Sequence, residues 1–357
     1  PPRPRVAAGA ILLYASCVNQ SLVLIAVIAC TPPATLVGAV ASSDASPVTD
    51  AMSSTDSEPL TDASSVPDSA APASRVSDQE ASAVLFTTGV PPGCGDVKGE
   101  VAIECWLGLR YASDPAAKEL AVALYRETGD VAGLGEDEMM NGGFRGMLHL
   151  VPEAPVGQYR KHLEWVVAAA RDFESFFKDL YASAPLPKYR WRALTARFMR
   201  SVDRTTPSAY ASPWTFSYNV KGSLLTSEGA VRETLFHEFF HMNDADHQDW
   251  SPHNLFLDYD AILKKCGASI ACLSPYAPND TVVRGGTYYA FQQNNGTPVH
   301  EYGAELALRW YKEQRAMLHD KKLSQKAFKC GPPENARSWK ALVDEFFGGR
   351  DIVPACP

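Results

Sequence analysis

The 357-residue sequence lacks the features of several protein classes. No Cys-x-x-Cys pair occurs, so a zinc ribbon is not indicated. Lys and Arg number 33 against 41 Asp and Glu, a net charge of −8, and no basic run with interleaved aromatics is present. Nucleic-acid binding is therefore not expected. No apolar run reaches the roughly 20 residues that cross a bilayer, and no internal repeat is visible.

The first 30 residues have the composition of an export signal. Arg3 and Arg5 form a short basic start, and two apolar stretches follow, residues 6–16 and 22–29. The sequence Val-Ile-Ala-Cys ending at Cys30 resembles a bacterial lipobox, in which the cysteine is lipidated after cleavage. We expect a secreted protein or a cell-surface or periplasmic lipoprotein, with membrane contact only through the lipid anchor. An ordinary secretory signal and an uncleaved anchor remain as alternatives.

Composition divides the rest of the chain in two. Residues 31–88 are rich in Ser, Ala, Pro and Asp with scarcely any aromatics, which predicts a disordered linker. Residues 89–357 carry the aromatics of a packed core and form the predicted folded domain. Six cysteines follow the signal, and an even number in an exported chain favours disulfides. The simplest pairing joins nearest neighbours: Cys94–Cys105, Cys266–Cys272 and Cys330–Cys356.

Hydrophobic periodicity and cap residues predict an α+β fold, with a small mixed sheet followed by a mostly helical C-terminal half. The predicted helices cover residues 116–128, 158–182, 228–243, 254–265, 298–319 and 333–347. The predicted strands cover residues 147–151, 191–199 and 214–220. The last strand is also a candidate for an edge strand that aligns an extended peptide, because it precedes the motif helix described next.

The sequence His237-Glu238-Phe239-Phe240-His241 is the strongest motif in the chain. On a helix, residues four apart share a face, so His237 and His241 can present two imidazoles to one ion. Glu238 lies beside them and could deprotonate a metal-bound water. On another face of the helix, apolar residues spaced by four can contact the core: Val231, Leu235 and Phe239. The motif therefore predicts a catalytic zinc site.

A catalytic zinc needs a third protein ligand, and the sequence offers three candidates. Glu301 begins a second helix, and Glu305, four residues later, could accept a hydrogen bond from a ligand histidine. His247 completes a metzincin-like spacing, which needs a sharp turn at Asp244. Asp244 or Asp246 could also bind as a carboxylate.

Together with Glu301-Tyr302-Gly303-Ala304-Glu305-Leu306, the first motif resembles the gluzincin metallopeptidases, in particular the anthrax lethal factor-like catalytic domain. The resemblance covers residues 228–317 and implies a zincin-like fold. It implies zinc on His237, His241 and Glu301, Glu238 as general base and Glu305 behind a ligand histidine. It also implies a tyrosine that stabilises the oxyanion, for which Tyr288 and Tyr289 are the candidates, with Tyr289 preferred.

These expectations converge on an exported zinc-dependent metallohydrolase, an endopeptidase acting on peptides or proteins. A peptide substrate is expected because gluzincins usually cleave peptides. A zinc hydrolase of cell-wall or other non-peptide amides is an alternative. A surface-anchored binding protein with a structural or vestigial zinc site is a second alternative.

Overall fold

A computed structural model describes residues 74–142, 145–182, 187, 189, 192–283, 285–293 and 297–357. The predicted export signal and residues 31–73 of the predicted linker lie outside this part of the chain. The described helices are α1 (Asp78–Leu85), α2 (Gly99–Arg110), α3 (Pro115–Thr128), α4 (Arg160–Leu180), α5 (Glu228–Asp246), α6 (Trp250–Asn254), α7 (Phe256–Cys266), α8 (Ile270–Leu273), α9 (Pro298–His319) and α10 (Pro333–Phe346).

Helix α1 lies inside the range that composition assigned to the linker. Ser77 and Glu80 form a reciprocal capping box at its start, which satisfies free backbone donors. Ala81 and Leu85 are fully buried against the core. The packed fold therefore includes residues 74–88, and the predicted boundary at residue 89 falls within it. The low aromatic content of this stretch hid a short amphipathic helix.

The main sheet has six strands and is mixed, as predicted. Its strands are β1 (Val131–Leu134), β2 (Glu138–Asn141), β3 (Met147–Pro152), β4 (Thr195–Ser201), β5 (Ala209–Ser212) and β6 (Thr215–Asn219). The order is β2-β3-β4-β6-β5, with β1 pairing β4 in parallel. β4 and β6 are parallel, and the other pairs are antiparallel. A separate two-stranded ribbon joins β7 (Val282–Val283) and β8 (Thr287–Tyr288).

The predicted edge strand is not at the edge. β6, the strand predicted over residues 214–220, lies between β4 and β5. The chain reaches it through a tight turn from β5, so the sheet ends at β5 instead. That turn holds Trp214 at φ +48° and is tied to the end of α5, because the indole Nε1 donates to Asp246 Oδ2 at 2.7 Å.

Aromatic side chains form the core between α4, α5 and α9. Phe236 of α5 stacks on Tyr311 of α9 with ring centroids 4.3 Å apart. Phe173 of α4 meets the edge of both rings, at 5.5 and 5.6 Å. Burial of each such side chain contributes about 1.5–3 kcal/mol. These contacts fix the two helices that carry the predicted ligands, α5 and α9, relative to each other.

Three disulfides join Cys94 to Cys105, Cys266 to Cys272, and Cys330 to Cys356. The nearest-neighbour pairing is confirmed. Disulfides of this kind fit an oxidising, extracellular location. Within the described residues, no helix combines the length and the apolar character that crossing a bilayer requires.

Candidate metal centre

Helix α5 presents both motif histidines on one face. Its first turn is capped by Ser227, whose hydroxyl accepts from the backbone of Ala230. Four-residue spacing then places His237 and His241 one turn apart, with their Nε2 atoms 3.1 Å from each other. The apolar positions predicted to contact the core are buried, with at most 4 % of their surface exposed: Val231, Leu235 and Phe239.

Helix α9 brings the third group from a distant part of the sequence. Glu301 lies in its first turn, and its Oε2 is 3.2 Å from Nε2 of His237 and 3.7 Å from Nε2 of His241. The three side chains each offer one ligand atom, and these atoms lie within 4.8 Å of one another. The group could hold a metal ion.

Gly303 lets α9 approach the motif helix this closely. A Cβ at this position would lie 2.8 and 3.0 Å from ring atoms of Phe240 and would also collide with the hydroxyl of Ser251. Phe240 is fully buried, so its ring has little room to move. The glycine in the second motif therefore has a packing reason: it permits the contact that places Glu301 beside the histidines.

Glu305 hydrogen-bonds one of the two motif histidines. One turn after Glu301, its Oε1 lies 3.1 Å from Nδ1 of His237. Nδ1 bonded to a carboxylate leaves Nε2 free for a metal and fixes the ring orientation. The other oxygen, Oε2, accepts from Nδ2 of Asn279 at 3.0 Å. Glu305 thus occupies the place that the resemblance implied, with a partner that the sequence did not reveal.

Glu238 faces the edge strand β5. The carboxyl group is buried, and its burial raises its pKa above the ordinary value, although His237 and His241 oppose the shift. A hydrogen bond with the backbone of Ala211 on β5 also acts to lower the pKa. A carboxylate with a raised pKa is a stronger proton acceptor than an ordinary one.

Within the ligand group, His237 and Glu301 shift each other's pKa in opposite directions. Burial alone would lower the pKa of His237, but hydrogen bonds and charges from Glu301 and Glu305 raise it well above its ordinary value. Burial likewise opposes ionisation of Glu301, yet both histidines lower its pKa far below the usual range. These opposite shifts reflect how closely the carboxylates of Glu301 and Glu305 approach the imidazole of His237.

Of the two candidate tyrosines, Tyr289 lies at the site. Its ring centroid is 5.7 Å from that of His237, and its hydroxyl hydrogen-bonds Glu301. Burial, together with the charges of Glu301 and Glu238, raises the pKa of Tyr289 well above its ordinary value. The phenol is therefore a proton donor at neutral pH. Tyr288 belongs to β8 and is only partly buried.

The other candidate ligands contact residues outside the ligand group. Helix α5 continues through Asp244 to Asp246 without the sharp turn that a metzincin site requires. His247 ends the helix with Nδ1 2.6 Å from Oε1 of Glu345 on α10. Asp244 accepts from the backbone of Ser251 at 2.7 Å, and Asp246 is held by the indole of the β5–β6 turn. None of these three is in the ligand group.

Three contributors to the site escaped sequence reasoning: Asn279, Ala211 and the packing role of Gly303. The first two lie in segments with no motif of their own, so only the folded chain brings them to the histidines. The glycine was visible within the second motif, and a small residue between two helical carboxylates could have suggested a close helix contact.

No protein-family model, no curated protein and no solved structure matches this chain.

Proposed function

We propose that this protein is an exported zinc-dependent metallohydrolase, specifically a gluzincin-type endopeptidase with a zincin-like catalytic domain. The observation that carries the proposal is the triangle formed by Nε2 of His237, Nε2 of His241 and Oε2 of Glu301. Its edges measure 3.1, 3.2 and 3.7 Å.

The triangle has the size that a tetrahedral zinc ion requires. Zinc binds imidazole nitrogen and carboxylate oxygen at about 2.0–2.2 Å, so tetrahedral ligand atoms stand about 3.3–3.6 Å apart. The three measured edges bracket this value. Two histidines and one glutamate also match the donor set of a catalytic zinc site with one open position.

Charge supports the same conclusion. Three carboxyl groups, Glu238, Glu301 and Glu305, surround two imidazoles in a largely buried region. Buried carboxylates are costly unless a cation balances them. A divalent ion at the triangle supplies that balance and leaves both imidazoles neutral, as metal ligation needs.

The chain's own residues then have distinct tasks. Bound zinc supplies Lewis acidity, which lowers the pKa of water and polarises the substrate carbonyl. Glu238 accepts a proton from the attacking water and passes it to the departing amine. Glu238 therefore ends each turnover in its starting protonation state. Tyr289 donates a hydrogen bond from its hydroxyl to the oxygen on which negative charge develops. Glu305 keeps His237 in the correct tautomer.

The outer edge of β5 favours a peptide as the substrate, although the backbone of Ala211 on that edge already hydrogen-bonds Glu238. Asn219 N donates to Ser208 O at 3.0 Å, directly before the β5–β6 pairing. Hydrogen-bonded and non-bonded pairs alternate along an antiparallel ladder, so the backbone groups of Ala209 and Ala211 point away from β6. In the described residues β5 pairs only with β6. An extended peptide could add to this edge beside Glu238.

The disulfides and the N-terminal sequence support a location outside the cytoplasm. Three disulfides fit an oxidising environment. Residues 1–30 have the composition of a lipoprotein-type or secretory signal. We place the protein outside the cytoplasm, secreted or attached to a bacterial surface by a lipid on Cys30.

Metal analysis combined with a peptide library tests the proposal. The purified protein should hold about one zinc per chain, lose peptide cleavage after chelation, and regain it when zinc is added. Zinc without cleavage of any peptide, together with hydrolysis of cell-wall amides, would favour the non-peptide hydrolase. Zinc without any hydrolysis would indicate a structural site. Absence of zinc would overturn the proposal.

A further inference from the structure

Asn279 is buried beside the candidate metal centre but belongs to none of its motifs. It lies in the segment between α8 and β7, and only 6 % of its surface is exposed. Its side-chain nitrogen Nδ2 donates twice to one residue, to the backbone oxygen of Glu305 at 2.9 Å and to its carboxylate Oε2 at 3.0 Å.

These two bonds complete the fixation of the Glu305 carboxylate. One oxygen is held by Nδ1 of His237 at 3.1 Å, and the other by Asn279. A carboxylate bonded at both oxygens cannot rotate without losing one partner. Because the ring orientation of His237 depends on this carboxylate, the amide of Asn279 restricts the imidazole through it.

The same segment leads to Tyr289. The backbone N–H of Tyr289 donates to Thr281 O at 2.8 Å, two residues after Asn279. Pro278 O accepts from Arg309 Nη1 at 3.1 Å, which is a second tie between the segment and α9. Asn279 thus stands where the segment that carries the tyrosine meets the helix that carries Glu301 and Glu305.

We infer that Asn279 is a positioning residue of the metal centre: it orients His237 through Glu305 and anchors the segment that carries Tyr289 to α9. The inference rests on the proposed zinc site. It extends that site beyond the ligands and the carboxylate of Glu305, to the residue that holds this carboxylate.

Asn335 provides a matched control. It is also buried, 1 % exposed, and its Nδ2 donates to two oxygens, Pro275 O at 2.9 Å and Phe328 O at 3.3 Å. In both residues the side-chain oxygen has no partner among the described residues. Removing either amide therefore deletes the same kind of buried group, but only Asn279 contacts Glu305.

The test compares zinc affinity, measured by competition with a chromophoric chelator, in full-length Asn279→Ala and Asn335→Ala proteins. Both substitutions should lower the melting temperature. Only Asn279→Ala should weaken zinc binding, by about 10-fold, the lower end of the range for lost outer partners of a metal ligand. If the alanine variant does not fold, Asn279→Leu carries the test, because leucine is close to asparagine in size, removes the donor and adds no charge beside the Glu305 carboxylate.

A Glu305→Gln background supplies the readout that a purely structural role would not move. If Asn279 acts through Glu305, adding Asn279→Ala to Glu305→Gln should weaken zinc binding by less than 3-fold, well below its effect in the wild type. Equal zinc affinity in Asn279→Ala and Asn335→Ala, or full additivity with Glu305→Gln, would overturn the inference while leaving the zinc site intact. A wild-type protein that binds no zinc would overturn the proposed function and this inference with it.

Discussion

Replacing Gly303 with alanine tests whether the contact between α9 and α5 builds the metal centre. The added methyl group would meet the ring of Phe240 at 2.8 and 3.0 Å, well inside ordinary van der Waals contact. Overpacking of this kind costs about 1–3 kcal/mol. Alanine also gains about 1 kcal/mol over glycine in a helix, so the net change in the free energy of unfolding needs a reference.

Gly108→Ala is that reference. Gly108 is also helical, in α2, and a Cβ there would lie 3.4 Å from the flexible end of Lys118, which is ordinary contact. Both variants gain the higher helix propensity of alanine. The difference between their free energies of unfolding therefore measures the cost of the contact between the new methyl group and Phe240. We expect Gly303→Ala to be less stable than Gly108→Ala by about 1–3 kcal/mol, a melting temperature about 2–10 °C lower.

Calorimetry and chelator competition measure the two consequences. An α9 helix pushed away from Phe240 carries Glu301 with it, so Gly303→Ala should also bind zinc more weakly than the wild type, while Gly108→Ala should not. Equal melting temperatures and equal zinc affinities in the two variants would refute the reasoning. That result would mean that the contact absorbs a methyl group without moving Glu301.

Three further predictions concern single side chains. Glu301→Gln should weaken zinc binding by more than the about 10–100-fold typical of a lost outer partner, whereas His247→Ala should leave zinc content unchanged. Tyr289→Phe should keep zinc and KM but lower kcat by about 10²–10³-fold, because one hydrogen bond to the developing charge is lost. His162 is buried, which lowers its pKa from 6.5 to about 4. Between these pH values the His162 imidazole binds a proton in the unfolded chain but not in the folded chain. The free energy of unfolding should therefore fall by up to about 3 kcal/mol as pH drops from 6.5 to 4.

Each of these has a clear contrary outcome. If His247→Ala loses zinc and Glu301→Gln retains it, the third zinc ligand is His247 and not Glu301. Full activity in Tyr289→Phe would remove the tyrosine from the chemistry. Denaturant unfolding of zinc-free protein should show a flatter pH dependence in His162→Phe than in the wild type, and identical slopes would contradict the assigned shift. The pKa of His237 is raised, so its titration changes stability with pH in the opposite direction to that of His162. Using zinc-free samples of both proteins keeps this contribution the same in the wild type and in His162→Phe.

Much of the helical framework could be predicted because its signals are local. The helix observed as α3 has an N-cap aspartate, a proline in its first turn and a terminal glycine in the left-handed conformation. The motif helix and α9 show apolar residues at helical spacing, and α9 spans the predicted residues 298–319. The four-residue spacing of Glu301 and Glu305 also pointed to the two carboxylates of α9, although 59 residues lie between His241 and Glu301.

What could not be predicted depends on long-range packing. The prediction put β6 at the edge of the sheet, but β5 lies there. Strand order depends on pairing partners, which no local pattern encodes. α1 was assigned to the linker because only its packing against the core distinguishes it from a Ser- and Ala-rich tether. Asn279 has no spacing relation to Glu305, and only the fold brings its amide to that carboxylate.

The most direct test of the central claim is the Glu238→Gln variant, studied with zinc bound. Glutamine keeps the size of the side chain and removes its capacity to accept a proton, and Glu238 is outside the ligand triangle. We expect unchanged zinc content, and cleavage of a peptide library reduced by about 10²–10⁴-fold. A Glu238→Gln protein that holds zinc and cleaves peptides as fast as the wild type would contradict that claim.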